Sequence, residues 1–364
     1  MRVAVIGLAG MGRTHIEGIR RSGAATEIIG CDLDARLAGE AAAAYGIRVF
    51  TDLEQLLVEA RPAAAFVVTP PAAHAANIRA CFAHGIAVLT EKPICTHAKE
   101  AAELVAIARD RRIPFQCGFQ LRYAGWMDAI RAVIAEGAIG RVTQASLTQF
   151  SGPIPKPGYF DRDRVGGIFY EKLCHQVDQF RLLFGEPERC MAIAAPRAIG
   201  HYGVDDNATA VFAFAGGVLG IVRFETRRSA QVAGETKPER QFEGHDAGHL
   251  YEFTVSGERG SATFDYWTDT VEVMRYNHRP DLLTERVRVI DRPREFPGDP
   301  YDTAAQDGDF LRRVARGEAL RHPAEDALRT MDWVERAEAS LRAGGAWIDA
   351  AAGARREGRQ SSAG

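Results

Sequence analysis

The chain opens with Val3-Ala4-Val5-Ile6-Gly7-Leu8-Ala9-Gly10-Met11-Gly12, and a helix-length later continues Glu27-Ile28-Ile29-Gly30-Cys31-Asp32. A short apolar run leading straight into glycines, then into a helical stretch, predicts strand, tight turn and helix. Such a turn lets the backbone approach a pyrophosphate, and the helix N-terminus adds unpaired N–H groups and a positive dipole end. The usual dinucleotide fingerprint is G-x-G-x-x-G; here Ala9 holds the middle glycine position and Gly10 follows it. Gly7, Ala9, Gly10, Met11 and Gly12 are therefore the candidate phosphate-binding residues. Asp32 ends the second run at roughly the spacing (~20 residues) expected of an acid that holds the adenosine ribose hydroxyls. A carboxylate there repels a 2′-phosphate and Leu33 and Asp34 supply no cation, so NAD is expected over NADP.

Working outward, the pattern repeats. Apolar strands are expected at Val49–Thr51, Ala64–Val68, Ala87–Leu89 and Phe115–Phe119, with helices at Met11–Ser22, Ala35–Tyr45, Leu53–Arg61, Ala73–His84 and Ala98–Arg111. Near-continuous apolar strands spaced by helices predict a doubly wound parallel α/β sheet, a Rossmann domain over residues 1–123. Ligands in such sheets sit beyond the carboxyl ends of the strands. Thr69 and Pro70 end the fourth strand, with His74 just beyond, where an exposed first-turn histidine is the plainer expectation. Thr90-Glu91-Lys92-Pro93 ends the fifth and aims Lys92 at the expected nicotinamide position.

After Trp126 the pattern changes. A helix at Trp126–Glu136 precedes a long strand at Val142–Phe150 and a helix at Ile168–Phe184. Strands are then expected at Cys190–Ala195, Ala208–Phe214, Val218–Thr226, Tyr251–Ser256, Ala262–Tyr266 and Thr270–Tyr276. Gly216-Gly217 and Gly257-Glu258-Arg259-Gly260 read as hairpin turns, so this half is an α+β domain with a large, mainly antiparallel open sheet, residues 124–349. Helices at Thr303–Arg316 and Ala324–Arg342 close the chain and are candidates to pack back on the first domain. Residues 350–364 read as a flexible tail.

With 364 residues, 46% hydrophobic and 26% charged, the chain suits two domains that each bury a core. The net charge of -3 and the lack of a basic block argue against nucleic-acid or anionic-membrane partners. No apolar stretch approaches the ~20 residues of a membrane helix. No signal peptide is legible, and six scattered cysteines without C-x-x-C fit a reducing compartment, so the cytoplasm is expected. His245-Asp-Ala-Gly-His249 has zinc-like spacing, but Gly248 interrupts it and no Glu follows the first His. A solvated loop is expected there and no metal.

The helix near Ile168 carries Glu171, His175 and Asp178, whose spacings of four and three place them on one face. Leu173, Val177, Phe180 and Phe184 form an apolar stripe opposite. Any solvated helix looks like this; lining a crevice instead, His175 becomes a general acid/base near neutral pH.

Taken together, Gly7–Gly12, Glu91-Lys92-Pro93, Phe119-Gln-Leu-Arg122-Tyr123, Gly166-Gly167 leading to His175-Gln-Val-Asp178, and His322-Pro-Ala-Glu-Asp-Ala-Leu328 resemble the glucose-fructose oxidoreductase/inositol dehydrogenase (Gfo/Idh/MocA) family. The resemblance spans about residues 1–349. It implies NAD(P)-dependent hydride transfer at a secondary alcohol of a sugar, cyclitol or glycoside, with Lys92 and His175 flanking the substrate. Lys92, His175 and Asp178 are then the catalytic candidates. Glu91 and Lys92 also join Asp32, Thr69, Pro70 and His74 as cofactor contacts. Arg122, Tyr159, Glu171 and Lys172 complete the substrate set. Ile168 stands where relatives often have a third glycine, and Glu171 where they have Asp, which shifts the substrate hydroxyl bound there by about a methylene.

Two alternatives accompany this reading: a catalytically silent, nucleotide-sensing regulator, and a redox-recycling enzyme of sugar rearrangement or glycoside cleavage. The sheet of the second half is expected to expose Val218, Ile221 and Phe224 unless a second copy covers them, predicting a homodimer or homotetramer.

Overall fold

The computed structural model describes residues 1–152, 161–226, 250–277, 284–295, 299 and 301–350. They form two compact units, one of residues 1–123, 163–166 and 301–332, the other of the remaining described residues.

In the first unit, strands β1 (Arg2–Ile6), β2 (Glu27–Cys31), β3 (Arg48–Phe50), β4 (Ala64–Val67), β5 (Ala87–Glu91) and β6 (Phe115–Gly118) make one sheet in the order β3-β2-β1-β4-β5-β6. Every pairing is parallel. Helices α1 (Gly10–Ser22), α2 (Ala35–Tyr45), α3 (Leu53–Ala60), α4 (Pro71–Ala83) and α5 (Ala98–Arg111) connect them. The strands read as apolar runs because both faces are covered: Val3, Val5, Phe66 and Leu89 are fully buried. Each βα turn is short and chemically specified; Asp52 Oδ1, for example, accepts the Gln55 N–H at 2.7 Å to cap α3. The order reverses between β1 and β4, which is the topological switch point.

The second unit contains α6 (Gly125–Ala135), β7 (Val142–Phe150), a π-helical turn at Phe169–Leu173 and α8 (Cys174–Phe184); in chain order the single turn α7 (Arg162–Val165) comes before the π turn, and all of it but Arg162 belongs to the first unit. Strands β8 (Pro187–Ile193), β9 (Asn207–Phe214), β10 (Leu219–Glu225), β11 (Leu250–Gly257), β12 (Gly260–Asp265), β13 (Thr270–Arg275) and β14 (Glu285–Asp291) follow. After the turn α9 (Arg292–Glu295) come α10 (Thr303–Arg316), α11 (Ala324–Arg342) and β15 (Ile348–Asp349). The sheet order is β14-β13-β12-β11-β7-β10-β9-β8-β15. All its pairings are antiparallel except β7 with β10.

One side of this sheet is packed. Trp126 stacks on Phe264 at 4.5 Å and leans on Phe253, while Phe180 meets Phe212 and Phe253. Gly220 is glycine because a Cβ there would stand 2.8 Å from the Phe180 ring. Helix α10 belongs to the first unit, lying along α1 where Gly18 lets Ala304 and Asp307 approach.

The expected face of Val218, Ile221 and Phe224 is corrected. Strand side chains alternate with period two, so Ile221 and Phe224 point to opposite faces. Phe224 is buried with Val222 on the packed side, and Val218 precedes β10. Leu219, Ile221 and Arg223 share the other side. β14 and β15 were not expected: Glu285-Arg-Val-Arg-Val-Ile-Asp291 is an arginine-laden edge, and β15 is two residues long.

Candidate active site

The glycine turn is built by exclusion. Gly7 has φ +97°, and a Cβ on it would lie 2.6 Å from the Val68 carbonyl oxygen; one on Gly12 would overlap the Gly7 carbonyl. Leu8 is buried, whereas Ala9, Gly10 and Met11 are exposed at the start of α1. No side chain caps that helix and its first turn holds no acid, so its N–H groups fit an anionic diphosphate. Ala9 sits at the N-cap with extended backbone, a position that tolerates a methyl group.

Asp32 is tied in on both oxygens: Oδ2 accepts the Leu8 N–H at 2.8 Å and Oδ1 the Asp34 N–H at 2.9 Å. The carboxylate thus joins the glycine turn to the end of β2 and keeps further lone pairs for ribose hydroxyls. Arg36 is held by Glu40 at 2.6 Å and by Asp34 at 3.4 Å, and Arg13 by the same Glu40 at 2.7 Å.

At the end of β4, Thr69 Oγ1 accepts from Asn77 at 3.1 Å and Pro70 precedes α4. His74 is not the exposed first-turn residue expected. It is 1% exposed, with Nδ1 2.8 Å from the Pro93 carbonyl and Nε2 2.7 Å from the Thr69 carbonyl. Its burial lowers its pKa from the usual histidine value. It links the Thr69 turn to the segment after β5.

That segment is the Glu91-Lys92-Pro93 motif. Glu91 points inward: Oε2 accepts the Lys92 N–H at 3.1 Å and Oε1 lies 3.2 Å from His15 Nε2. Gly118 is required beside it, since a Cβ there would stand 2.9 Å from Glu91 Oε1. Lys92 itself is half-buried. Arg122, in a 3-10 turn after β6, is buried with its guanidinium 2.5 Å from Asp326 and 3.0 Å from His322 Nδ1. In the first unit it acts as a strut between this turn and the start of α11.

The helix that carries His175 differs from a simple solvated face. Its polar groups are buried: Glu171 is 6% exposed, His175 7% and Asp178 1%. Lys172 is half-buried beside them. His175 and Asp178 share a face of α8, but Glu171 lies in the π turn, whose i→i+5 repeat alters the spacing expected from an α-helix. The stripe of Leu173, Val177 and Phe180 is buried as expected. Arg181 Nη1 stands 3.9 Å from Asp178 and its Nε donates to Glu186 at 2.9 Å.

Helix α11 secures the π turn. Glu338 Oε1 accepts the Phe169 N–H at 2.9 Å, Arg162 donates to its other oxygen at 3.2 Å, and the Tyr170 hydroxyl donates to Glu335 at 2.5 Å. The Gly166-Gly167 pair follows from this: both have positive φ, +85° and +149°, and a Cβ on Gly167 would overlap the Glu338 carboxylate.

Tyr159 lies outside the described residues, as do His245 and His249. Nothing in the sequence pattern singles out His15, Asp307 or Glu338. Their partners are far away along the chain, and each reads alone as a solvated helix residue. Among the described residues no helix is long and apolar enough to cross a membrane.

Comparison with known proteins identifies the family and the fold. Residues 1–119 match the model of an oxidoreductase family with an NAD-binding Rossmann fold, GFO_IDH_MocA, and residues 127–263 match the GFO/IDH/MocA C-terminal domain. Inositol 2-dehydrogenase of Rhizobium meliloti is 28% identical over 226 residues, covering 61% of this chain and 68% of that protein. Human trans-1,2-dihydrobenzene-1,2-diol dehydrogenase is 29% identical over 193 residues, 51% of this chain and 57% of that one. Among solved structures, the WlbA dehydrogenase from Bordetella pertussis, in complex with NADH and UDP-GlcNAcA, superposes with a TM-score of 0.78 at 19% identity. That match covers 96% of this chain and 98% of the other, and it shows a shared fold.

Proposed function

Because the chain belongs to the GFO/IDH/MocA family of oxidoreductases, we propose that it is an NAD-dependent dehydrogenase acting on a secondary alcohol, or the matching ketone, of a cyclitol, sugar or glycoside. The observation that carries this reading is the burial of Glu171, His175 and Asp178 on one short helical stretch. Burying that many ionisable groups is costly unless they have work to do. The inositol and dihydrodiol dehydrogenases among its relatives support the substrate class.

The first turn of α1 takes the diphosphate and Asp32 the ribose hydroxyls, with Thr69 and Pro70 beside the cofactor. When bound, NAD supplies the hydride acceptor. His175 removes the hydroxyl proton at a ring nitrogen, oriented by Asp178, and the Lys92 ammonium stabilises the developing alkoxide. Glu171 and Lys172 bind neighbouring hydroxyls. Arg122 supports the turn it stands on, and Glu91 and His74 support Lys92. All six cysteines are buried and outside any disulfide, in keeping with the cytoplasm. A homodimer, or a homotetramer, forms through the sheet side bearing Leu219 and Ile221.

The test is a screen of cyclitols, aldoses, uronates and glycosides at the reduced-nicotinamide absorbance. His175→Ala and Lys92→Ala should each lower turnover by orders of magnitude and leave NAD binding nearly intact. Near-wild-type turnover in either variant overturns its role.

A further inference from the structure

His15 stands on α1 about one turn beyond the glycines, fully buried. Its two ring nitrogens face two carboxylates: Nδ1 is 2.9 Å from Asp307 Oδ2 on α10, and Nε2 is 3.2 Å from Glu91 Oε1 at the end of β5. Only an imidazolium donates at both nitrogens. Burial alone would lower the His15 pKa, but Asp307 and Glu91 outweigh it and push it up to about 10. Gln306 donates to Asp307 at 3.4 Å, and the Phe66 ring lies 5.4 Å from the imidazole. Well-packed apolar residues of similar volume often fill such a site with no loss of stability. The ionic triad adds a fixed direction for Glu91.

That direction matters one residue later. Glu91 Oε2 accepts the Lys92 N–H, Gly118 leaves the space in which the carboxylate stands, and His74 holds the Pro93 carbonyl. Lys92 is therefore clamped on both sides of its backbone by groups that end on buried histidines. We propose that His15 is a positioning residue for the reaction: through Glu91 it fixes the backbone of Lys92, and so the placement of the ammonium, against the helix whose first turn receives the cofactor diphosphate. This rests on the role given to Lys92 above.

The chain has only five lysines, at 92, 99, 156, 172 and 237, so each amine can be followed separately. Competitive acetylation with a trace water-soluble acyl ester, read by peptide mass spectrometry, gives the reactivity of Lys92 relative to the exposed Lys99. His15→Gln should change that ratio about threefold or more, since a displaced amine meets different neighbouring charge and solvent. Ile19→Val, which loosens the same helix in its apolar core, should leave it unchanged. Turnover per NADH-binding site in His15→Gln should fall at least about tenfold, as expected for a displaced catalytic group. If His15→Gln does not fold, Glu91→Gln breaks the same link from the other side and is read in the same way. An unchanged ratio in a folded, NADH-binding variant overturns the inference. A changed ratio with full turnover per site upholds the positioning and overturns the role of Lys92 in the reaction.

Discussion

Gly167→Ala tests how the His175 helix is anchored. The substitution acts twice. Alanine at φ +149° is strained by about 1–3 kcal/mol, and its Cβ overlaps the Glu338 carboxylate. Glu338 must then withdraw, leaving the buried Phe169 N–H without its acceptor, which costs about 1–3 kcal/mol more. The Arg162 contact adds little, since that guanidinium is 41% exposed and regains water. The expected loss is about 4 kcal/mol, and about 3 kcal/mol for Glu338→Ala, which forfeits the same hydrogen bond and some packing. In the double variant the overlap is gone and the bond is lost only once, so the loss stays near 4–5 kcal/mol, well below the sum of about 7. Urea unfolding of the four proteins gives the cycle, provided fluorescence and far-UV dichroism coincide. Additivity within about 0.5 kcal/mol would refute the idea that Gly167 is glycine for the sake of Glu338.

Burial pushes the Glu338 carboxyl above the usual carboxylate range, against the pull of Phe169 and Arg162. The folded state thus holds this proton more tightly than the unfolded one. Its contribution to stability is fully present below the ordinary pKa of ~4.3 and is lost as pH rises through the raised value, and Glu338→Gln should remove that slope in urea midpoints. For the cofactor, calorimetry should show NAD preferred over NADP by at least tens of fold, about 1.4 kcal/mol per factor of ten. Glu40→Ala frees Arg36 and Arg13 and should narrow the gap; equal binding in the wild type would show that Asp32 does not meet the ribose. Ile221→Glu on the unpacked sheet side should yield monomers in sedimentation, and a wild type already monomeric at micromolar concentration would refute the proposed assembly.

The sequence pattern located most elements because their causes are local. Ala35–Tyr45, Ala98–Arg111, Thr303–Arg316 and Val142–Phe150 match the expected bounds. Apolar periodicity, an Asp before α2 and glycines after α1 and α10 are all visible within a few residues. The π turn was not legible, because Phe169-Tyr-Glu-Lys-Leu173 contains no helix breaker and its distortion is imposed by Glu335 and Glu338 from α11. Nor was the burial of His74 and of the Glu171–Asp178 stretch. A polar face reads alike in water or under other elements, and only the chain packed against it decides.

The parts that escaped the sequence share one physical design. Beside Lys92 and ahead of His175, a buried carboxylate accepts a backbone N–H: Glu91 at Lys92 and Glu338 at Phe169. Each acid has a cation behind it, His15 or Arg162, and each is pressed against a glycine, Gly118 or Gly167, whose missing side chain it fills. A neutral acceptor would hold the same N–H, but a charged one makes a bond about twice as strong, and a cation beside it favours the charged form against the opposing effect of burial. The glycine leaves the space in which the carboxylate sits. A segment held in this way cannot drift without leaving a buried charge unpaired, which costs several kcal/mol and far exceeds thermal energy. Reactive side chains gain precision from this arrangement although the backbone carrying them is irregular, and loss of either acid should therefore damage turnover more than cofactor affinity.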